Sequence, residues 1–531
     1  MSKKLSLTLI LAICASFASL LRAAELDDIG RFDFPTSGDP AAQEHFLRGV
    51  GFLHSFGMTQ AGEEFRKAQE IDGDFAMAYW GETFTYQHPF NGAKDERPGQ
   101  ALMKLGATSA ERLSKAPTER EKGFIRAAEA YALTVGGMSE RRLAWMNAMA
   151  DLYQQFPDDR EVAAFYAVST LSGARATASG TARERLNMRA GALALELFKE
   201  NEDHPGAAHY VIHAFDDPVH APIALEAAFK YADTAPAVSH ARHMPTHIFI
   251  QHGKWNEVSQ WNESAFNAAY ELWKPGDTVG DQNHSSDWGQ YGDLQLGDLE
   301  RSKLWISRAE QVLKNNPSDN RSAGTLSTMR ARHTIESQHW NISSYSEDLS
   351  ATELLALGLS AVALGDLELA NKVADRMAEM VSDSPNSGTL KISQLEIAGL
   401  AKLAEAKNQI AKGMNAAGLP MQTEALALLE EAVDLANKGR KPSGAANPLK
   451  PAHELGGEAF LAVGQAEKAA ELFEQSLLRM PNRPLSLLGA ARSYKEMDNA
   501  GKASEKYAAL LAVWSDDSHP AVQEAKKYLN Y

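Results

Sequence analysis

Four histidines form two pairs whose residue type and spacing could support chemistry. His209 and His213 are four residues apart, and so are His243 and His247. The second pair follows the first at an interval of 34 residues. On an α-helix, residues at i and i+4 lie on one face, with Cβ atoms about 5–6 Å apart. Neutral imidazoles at this spacing suit a transition-metal ion, so all four residues are candidate metal ligands.

Three interpretations of this pattern remain open. In the first, the histidines and nearby aspartates form a hydrogen-bonded ladder that orders a surface for a peptide or protein partner. In the second, they hold a divalent transition metal, Zn, Cu or Fe, and the aspartates orient the rings. In the third, a histidine acts as an acid–base with Asp216, Asp217 or Asp287. Because the sequence establishes no cofactor and contains no GxSxG, GxxxxGK[ST] or HExxH motif, we favour the first interpretation and a non-enzymatic role.

The elements that position these residues are predicted to be helices. Segments such as "ALALLEEAVDLANKG" and "AEKAAELFEQSLLRMP" place apolar residues at i, i+3, i+4 and i+7 and end at Gly or Pro. Alternating apolar and polar runs typical of strands are rare. The chain is therefore predicted to be all-α.

A pattern of small and aromatic residues recurs near the C-terminus at the same interval. Gly457, Phe460, Ala469 and Phe473 form it, and Tyr494, Ala503 and Tyr507 repeat its last positions after 34 residues. Small residues let paired helices approach closely, and the aromatic residues fill the space between them. The pattern resembles the tetratricopeptide repeat. The resemblance implies a superhelix, an α-solenoid of antiparallel helix pairs.

The same resemblance assigns a face to the histidines. With repeats at 205–238 and 239–272, it places both pairs on the side of the first helix that lines the concave groove in tetratricopeptide proteins. It implies further groove residues on this and the following unit: His240, Asp216, Asp217, His284, Asp287 and Tyr291. Proline fits only the first turn of a helix, so Pro245 predicts that the second pair straddles a helix start.

Longer motifs resemble those of a bacterial family of exported tetratricopeptide-repeat proteins. They are "MAYWGETFTYQHP" (77–89), "FPDDREVAAFYA" (156–167), "HPGAAHYVIHAFDDP" (204–218), "HARHMPTHIF" (240–249), "HSSDWGQYGDLQLG" (284–297), "HELGGEAF" (453–460) and "MPNRPLSLLGAA" (480–491). The resemblance covers most of the chain after residue 23. It implies the fold and an exported location, and it implies no substrate or reaction.

The N-terminal residues have the layout of a secretory signal peptide. Lys3 and Lys4 precede a largely apolar run of 17 residues, which is shorter than the roughly 20 needed to span a bilayer. We predict a signal peptide at 1–23, a repeat-like helical array with a histidine-lined groove at 24–440, and a C-terminal repeat pair at 441–531. Cleavage would leave no stable membrane span, and the protein is expected to be periplasmic or secreted.

Charge narrows the class of partner. The formal net charge is −16 and no basic cluster stands out, so nucleic acid is not expected as a partner. The predicted function is an exported scaffold that presents a groove to a peptide or protein. The alternative is a metal-binding protein or metal-dependent enzyme that uses the histidines at 209–247.

Overall fold

The computed structural model describes residues 28–91, 95–177, 180–439 and 447–531. Within these ranges the regular secondary structure is helical, without a β-strand. This confirms the predicted all-α class. The predicted signal peptide at 1–23 and the predicted boundary at 440 and 441 lie outside the described residues, so that division of the chain stays a prediction.

The described chain divides into two compact units. The first comprises the described residues up to Asp216 together with His220–Ile248, and the second comprises Asp217–Val219 and Phe249–Tyr531. The helices of the first unit are α1 (Pro40–His54), α2 (Met58–Ile71), α3 (Ala76–Thr83), α4 (Arg97–Leu105), α5 (Ser109–Ser114), α6 (Glu119–Leu133), α7 (Met138–Gln155), α8 (Arg160–Ala176), α9 (Thr181–Glu200), α10 (Pro205–Ala214), α11 (Ala221–Thr234) and α12 (Ser239–His243).

The remaining helices continue to the C-terminus. Helix α13 (Pro245–Gln251) contains the point of division after Ile248. The helices of the second unit are α14 (Trp255–Leu272), α15 (Gly280–Gln295), α16 (Leu299–Asn315), α17 (Asn320–Ser337), α18 (Ala351–Leu364), α19 (Leu367–Asp383), α20 (Gly388–Ala411), α21 (Asn415–Lys438), α22 (Ala452–Leu461), α23 (Ala466–Arg479), α24 (Pro484–Glu496), α25 (Ala500–Val513) and α26 (Pro520–Leu529).

Capping residues explain where several of these helices begin and end. Thr118 caps α6 and Ser350 caps α18, each through a capping box with the glutamate three residues later. Helix α18 ends at Gly365, whose φ of 82° lies in the left-handed region that glycine adopts without steric cost. These local signals fix the first turns of α6 and α18 and the end of α18.

Close approaches between glycine and an aromatic ring recur where consecutive helices pair. A Cβ atom added at Gly49 would lie 2.8 Å from the ring of Phe65, and one added at Gly81 would lie 2.3 Å from the same ring. In the second unit, a Cβ at Gly457 would lie 2.9 Å from the ring of Phe473. Each ring occupies space that a side chain would fill. Pairing of consecutive helices in this way confirms an array of the tetratricopeptide type.

Each unit has apolar packing of its own. In the first unit, Phe34 lies 5.7 Å from Trp80 and 5.1 Å from Phe124, measured between ring centroids. In the second unit, Trp255 and Trp288 are buried, as is the apolar cluster along α17 to α25. Within the described residues, every helix is too short or too polar to cross a membrane.

Candidate metal centre

The first histidine pair lies on α10, and the residues before it determine where that helix begins. Pro205 occupies the first turn, and the backbone N–H of Ala207 donates a hydrogen bond to Nδ1 of the capping residue His204 at 3.2 Å. His209 and His213 follow, one turn apart. The helix is buried along most of its length, so its histidines project into protein rather than into solvent.

The second pair straddles a break between two short helices. Helix α12 ends at His243, and Pro245 begins α13, which places His247 in the first turn of that helix. This confirms the interruption expected from the proline. The two Nε2 atoms of His243 and His247 nevertheless lie only 3.1 Å apart.

The structure groups His240, rather than the second pair, with His209 and His213. One ring nitrogen from each of these three residues lies within 4.8 Å of the other two. The Nε2 atom of each ring is buried and has no hydrogen-bond partner in the described part of the chain. We call these three residues the histidine trio. Its members come from α10 and α12, so the trio depends on how those helices pack.

A backbone carbonyl determines the tautomer of His209. Nδ1 of His209 donates a hydrogen bond to the carbonyl oxygen of His54 at 2.6 Å. Because a carbonyl oxygen only accepts, the proton of a neutral ring is on Nδ1 and the lone pair is on Nε2. His54 is the last residue of α1, where carbonyls lack partners within the helix. The end of α1 therefore orients His209 as metal-ligating histidines are commonly oriented.

Burial keeps the trio uncharged. It lowers the pKa of the His209 imidazole to about 3. Burial, reinforced by repulsion from the neighbouring imidazoles, holds the pKa of His213 and of His240 well below the usual value for histidine. All three rings are therefore neutral at pH 7, the form that binds a metal.

Aromatic rings surround the trio. The ring of Phe56 lies 4.4 Å from that of His209, 5.7 Å from that of His213 and 5.5 Å from that of His240, measured between centroids. Tyr231 stacks on His209 at 5.2 Å. Phe56 has a φ of 57°, which is uncommon for a residue with a side chain. The turn that follows α1 thus holds an aromatic ring against all three histidines.

A carboxylate supports the second pair. Nδ1 of His247 donates a hydrogen bond to Oδ2 of Asp216 at 2.8 Å. The neutral His247 ring consequently has its lone pair on Nε2, the atom that faces Nε2 of His243. The pair adjoins the trio, since the ring centroids of His213 and His247 are 6.3 Å apart and those of His240 and His243 are 6.4 Å apart.

A third buried group is satisfied by hydrogen bonds alone. Both oxygens of Glu161 accept bonds, one from Nε2 of His54 at 2.9 Å and one from Nε2 of His204 at 3.1 Å. Nδ1 of His54 accepts from the hydroxyl of Tyr210 at 2.8 Å. Burial by itself would raise the pKa of Glu161, but the two histidines lower it to about 2. Because Nδ1 of His204 accepts from Ala207, every ring nitrogen of this group is engaged.

The other predicted groove residues have identifiable partners near them. The carboxylate of Asp217 accepts a bond from the backbone N–H of Val219 at 2.8 Å. On α15, His284 is exposed beside Trp288, with ring centroids 5.3 Å apart. Also on α15, Asp287 lies 2.7 Å from a guanidinium nitrogen of Arg332, and the buried Tyr291 hydroxyl accepts a bond from Arg483 at 3.3 Å. Asp287 and Tyr291 are thus engaged within the second unit.

Sequence reasoning missed several residues that form the surroundings of the trio. Phe56, His54 and Glu161 lie far from the trio in sequence and carry no spacing signal relative to it. A histidine before a proline, such as His88, is typical of local capping or packing, and its Nδ1 does accept a bond from the backbone N–H of Phe90 at 3.2 Å. Its ring also lies 6.2 Å from that of His240.

The fold and the site together define the class of molecule, an all-α helical-repeat protein with a buried cluster of neutral histidines. No protein-family model matches the chain, and no curated protein matches it. Among solved structures, the chain is similar to a thermophilic tetratricopeptide-repeat protein of Thermus thermophilus at 18% identity and a TM-score of 0.27, over 45% of this chain and 95% of that one.

Two eukaryotic structures match over a larger share of the chain. Yeast Tom70 matches at 11% identity and a TM-score of 0.28, over 92% of this chain and 96% of that one. The human IFIT1 dimer with m7Gppp-AAAA matches at 11% identity and a TM-score of 0.30, over 93% of this chain and 94% of that one. Values this low carry no argument about partner or activity.

Proposed function

We propose that this protein binds a transition-metal ion through Nε2 of His209, His213 and His240. Two observations carry the proposal: one ring nitrogen of each residue lies within 4.8 Å of the other two, and the buried Nε2 atom of each lacks a hydrogen-bond partner in the described residues. A buried polar atom without a partner costs roughly 1–3 kcal/mol. A bound ion would supply the missing partner for all three atoms at once.

The contrast with the group around Glu161 supports a metal over a hydrogen-bonded ladder. In that group every ring nitrogen has a donor or an acceptor, as a ladder requires. Within the described residues, the buried Nε2 atoms of the trio have neither a donor nor an acceptor. The ladder interpretation therefore fits His54 and His204, and the metal interpretation fits the trio.

The donor set indicates the kind of ion. Neutral imidazoles suit Zn²⁺, copper and Fe²⁺, whereas Ca²⁺ and Mg²⁺ prefer oxygen ligands. A tetrahedral ion about 2.0–2.1 Å from each nitrogen places its ligand atoms about 3.3 Å apart. The trio nitrogens lie within 4.8 Å of one another, so side-chain movements of about 1 Å would close the trio around an ion. Three protein ligands leave a coordination position for water or another small ligand.

The test is metal content of a tag-free protein. We would strip the mature protein with a chelator, add Zn²⁺, Cu²⁺ or Fe²⁺ separately, remove excess, and measure bound metal by elemental mass spectrometry. A His213→Gln/His240→Gln variant should bind one ion fewer per chain. The matched control is His45→Gln, because His45 pairs with Glu64 and lies outside the cluster.

Two results would contradict the proposed metal site. Metal content unchanged in the double variant, or no metal and no thermal stabilisation in the parent protein, would leave the scaffold function standing. That second candidate, a peptide- or protein-binding scaffold, is supported by the helical-repeat fold alone. We also propose that the protein is exported, because residues 1–23 resemble a signal peptide. Its formal net charge of −16 favours a peptide or protein partner over a nucleic acid.

A further inference from the structure

The second histidine pair has the geometry of two ligands to one ion. Ligand nitrogens about 2.05 Å from a metal are separated by about 2.9 Å when they are adjacent in an octahedral site and by about 3.3 Å in a tetrahedral site. The Nε2 atoms of His243 and His247 are 3.1 Å apart, between those two values. In the metal-free protein a single proton shared between the two nitrogens accounts for the short distance, and a metal ion would replace it.

Asp216 supplies the support that such a ligand needs. Its carboxylate accepts a hydrogen bond from Nδ1 of His247 at 2.8 Å, which leaves the lone pair of the neutral ring on Nε2 and fixes the orientation of the ring. The carboxylate also brings negative charge close to the position of a cation. Both side chains are largely shielded from water, with 14% of His247 and 11% of Asp216 exposed, so this charge is weakly screened.

The pair is separate from the trio and adjoins it. The break between α12 and α13 falls between His243 and His247, whereas the trio uses α10 and the first turn of α12. Ring centroids across the two groups are 6.3 and 6.4 Å apart. Neither His243 nor His247 belongs to the set of residues whose ring nitrogens converge in the trio, so the histidines form two neighbouring groups of ligands, and two ions can lie side by side.

We propose that His243 and His247, backed by Asp216, hold a second transition-metal ion beside the one held by the trio. The inference rests on the proposed function for the first ion and extends it to a centre of two ions. Because the trio has no carboxylate among its ligands and the pair has one behind it, the two positions differ in local charge. The pair is therefore the position that favours a doubly charged ion such as Zn²⁺ or Cu²⁺.

Stoichiometry tests the inference. The stripped, tag-free protein would be titrated with Zn²⁺ and with Cu²⁺, and the ions bound per chain measured by elemental mass spectrometry. The parent should bind two, and the His243→Gln/His247→Gln variant and the His213→Gln/His240→Gln variant should each bind one. Asp216→Asn retains both ligands, so it should weaken the second ion by about 10–100-fold and leave the first unchanged.

Electron paramagnetic resonance gives a readout that does not depend on counting ions. Two Cu²⁺ ions in adjoining sites should broaden each other's signals, and either double variant should show the sharper spectrum of an isolated ion. Circular dichroism of each variant would establish that it folds. Asp216→Asn provides the test if a double variant does not fold. In this variant the affinity for the second ion should fall, and the affinity for the first ion should stay the same.

Each remaining outcome decides a different point. One ion in the parent that survives His243→Gln/His247→Gln would overturn the second site and leave the proposed function intact. One ion that is lost in both double variants would mean that a single ion is shared by all the histidines, which also overturns the second site. No bound ion in the parent would overturn the inference and the proposed function together.

Discussion

The imidazoles of the trio differ from surface histidines in that burial decides their charge. The rings of Phe56 and Tyr231 pack against His209, and Nδ1 of His209 donates a hydrogen bond to the carbonyl of His54. A protonated ring in this place would lack solvation, so the neutral form is favoured over a wide pH range. The same burial leaves three Nε2 atoms without a hydrogen-bond partner in the described residues, where an ion could be bound.

The first prediction concerns pH and the metal-free protein. The pKa of His209 is lowered from about 6.5 in the unfolded chain to about 3 in the folded one. The unfolded chain therefore binds more protons between these values, and the stability contributed by the neutral ring is lost as the pH falls through that window. Each such ring changes the free energy of unfolding by up to about 1.4 kcal/mol per pH unit.

Thermal unfolding measured at a series of pH values below 6.5 checks this expectation. The melting temperature of the stripped protein should fall steadily with decreasing pH, and His209→Gln should reduce the slope because one titrating group is removed. Gly324→Ala removes no titrating group and adds a Cβ where nothing lies within 4 Å, so it should keep the parent slope. An identical pH dependence for His209→Gln would show that the folded-state pKa of His209 is not lowered.

At the scale of the elements, the packing of glycine against aromatic rings sets how closely paired helices approach. Phe473 on α23 lies between Gly457 on α22 and Gly489 on α24, and the same arrangement recurs around Phe65 in the first unit. Repeats of this kind bury little apolar surface alone, so the contact with the next helix carries much of their stability. A side chain added at such a glycine would therefore displace the aromatic ring and disturb its packing against both adjacent helices.

A pair of glycine-to-alanine substitutions tests this packing. At Gly489 the new Cβ would lie 2.2 Å from the Phe473 ring, so we expect a loss of about 1–3 kcal/mol in the free energy of unfolding. At Gly324, inside α17, nothing lies within 4 Å, and the same change should stabilise the protein by about 0.5–1 kcal/mol. Chemical denaturation measures both; equal effects at the two sites would refute the packing argument.

At the scale of the whole molecule, the described chain consists of two compact units with the histidine groups in the first. The only cysteine of the sequence is Cys14, within the predicted signal peptide, so thiolate ligands would be absent from an exported form. Metal binding in that form would depend on imidazole and carboxylate. This agrees with the ligand types proposed for both sites.

Export itself is testable on the intact protein. If residues 1–23 are a signal peptide, mass spectrometry of the protein from its native cell envelope should find a mature N-terminus near Ser19 or Ala24, without a lipid. The cytoplasmic precursor, isolated when secretion is blocked, provides the control. Protein that retains Met1 in the envelope fraction would exclude cleavage.

Periodicity along the chain was sufficient to predict the helical class, the repeat type, and the shared face of His209 and His213. These features depend on residues within one helix or on neighbouring helices of one repeat, where spacing maps directly onto geometry. The proline between His243 and His247 likewise predicted the helix break that the structure contains.

The composition of the site was decided by tertiary structure. The sequence grouped the four histidines of the two pairs, whereas in the structure His240 lies with the first pair, and His247 of the second pair is bonded to Asp216. His54 and Phe56, which touch His209, lie more than 150 residues away from it in the chain. Spacing determines which side chains share a helix face, but the approach of faces on different helices depends on side-chain packing and on where each helix ends.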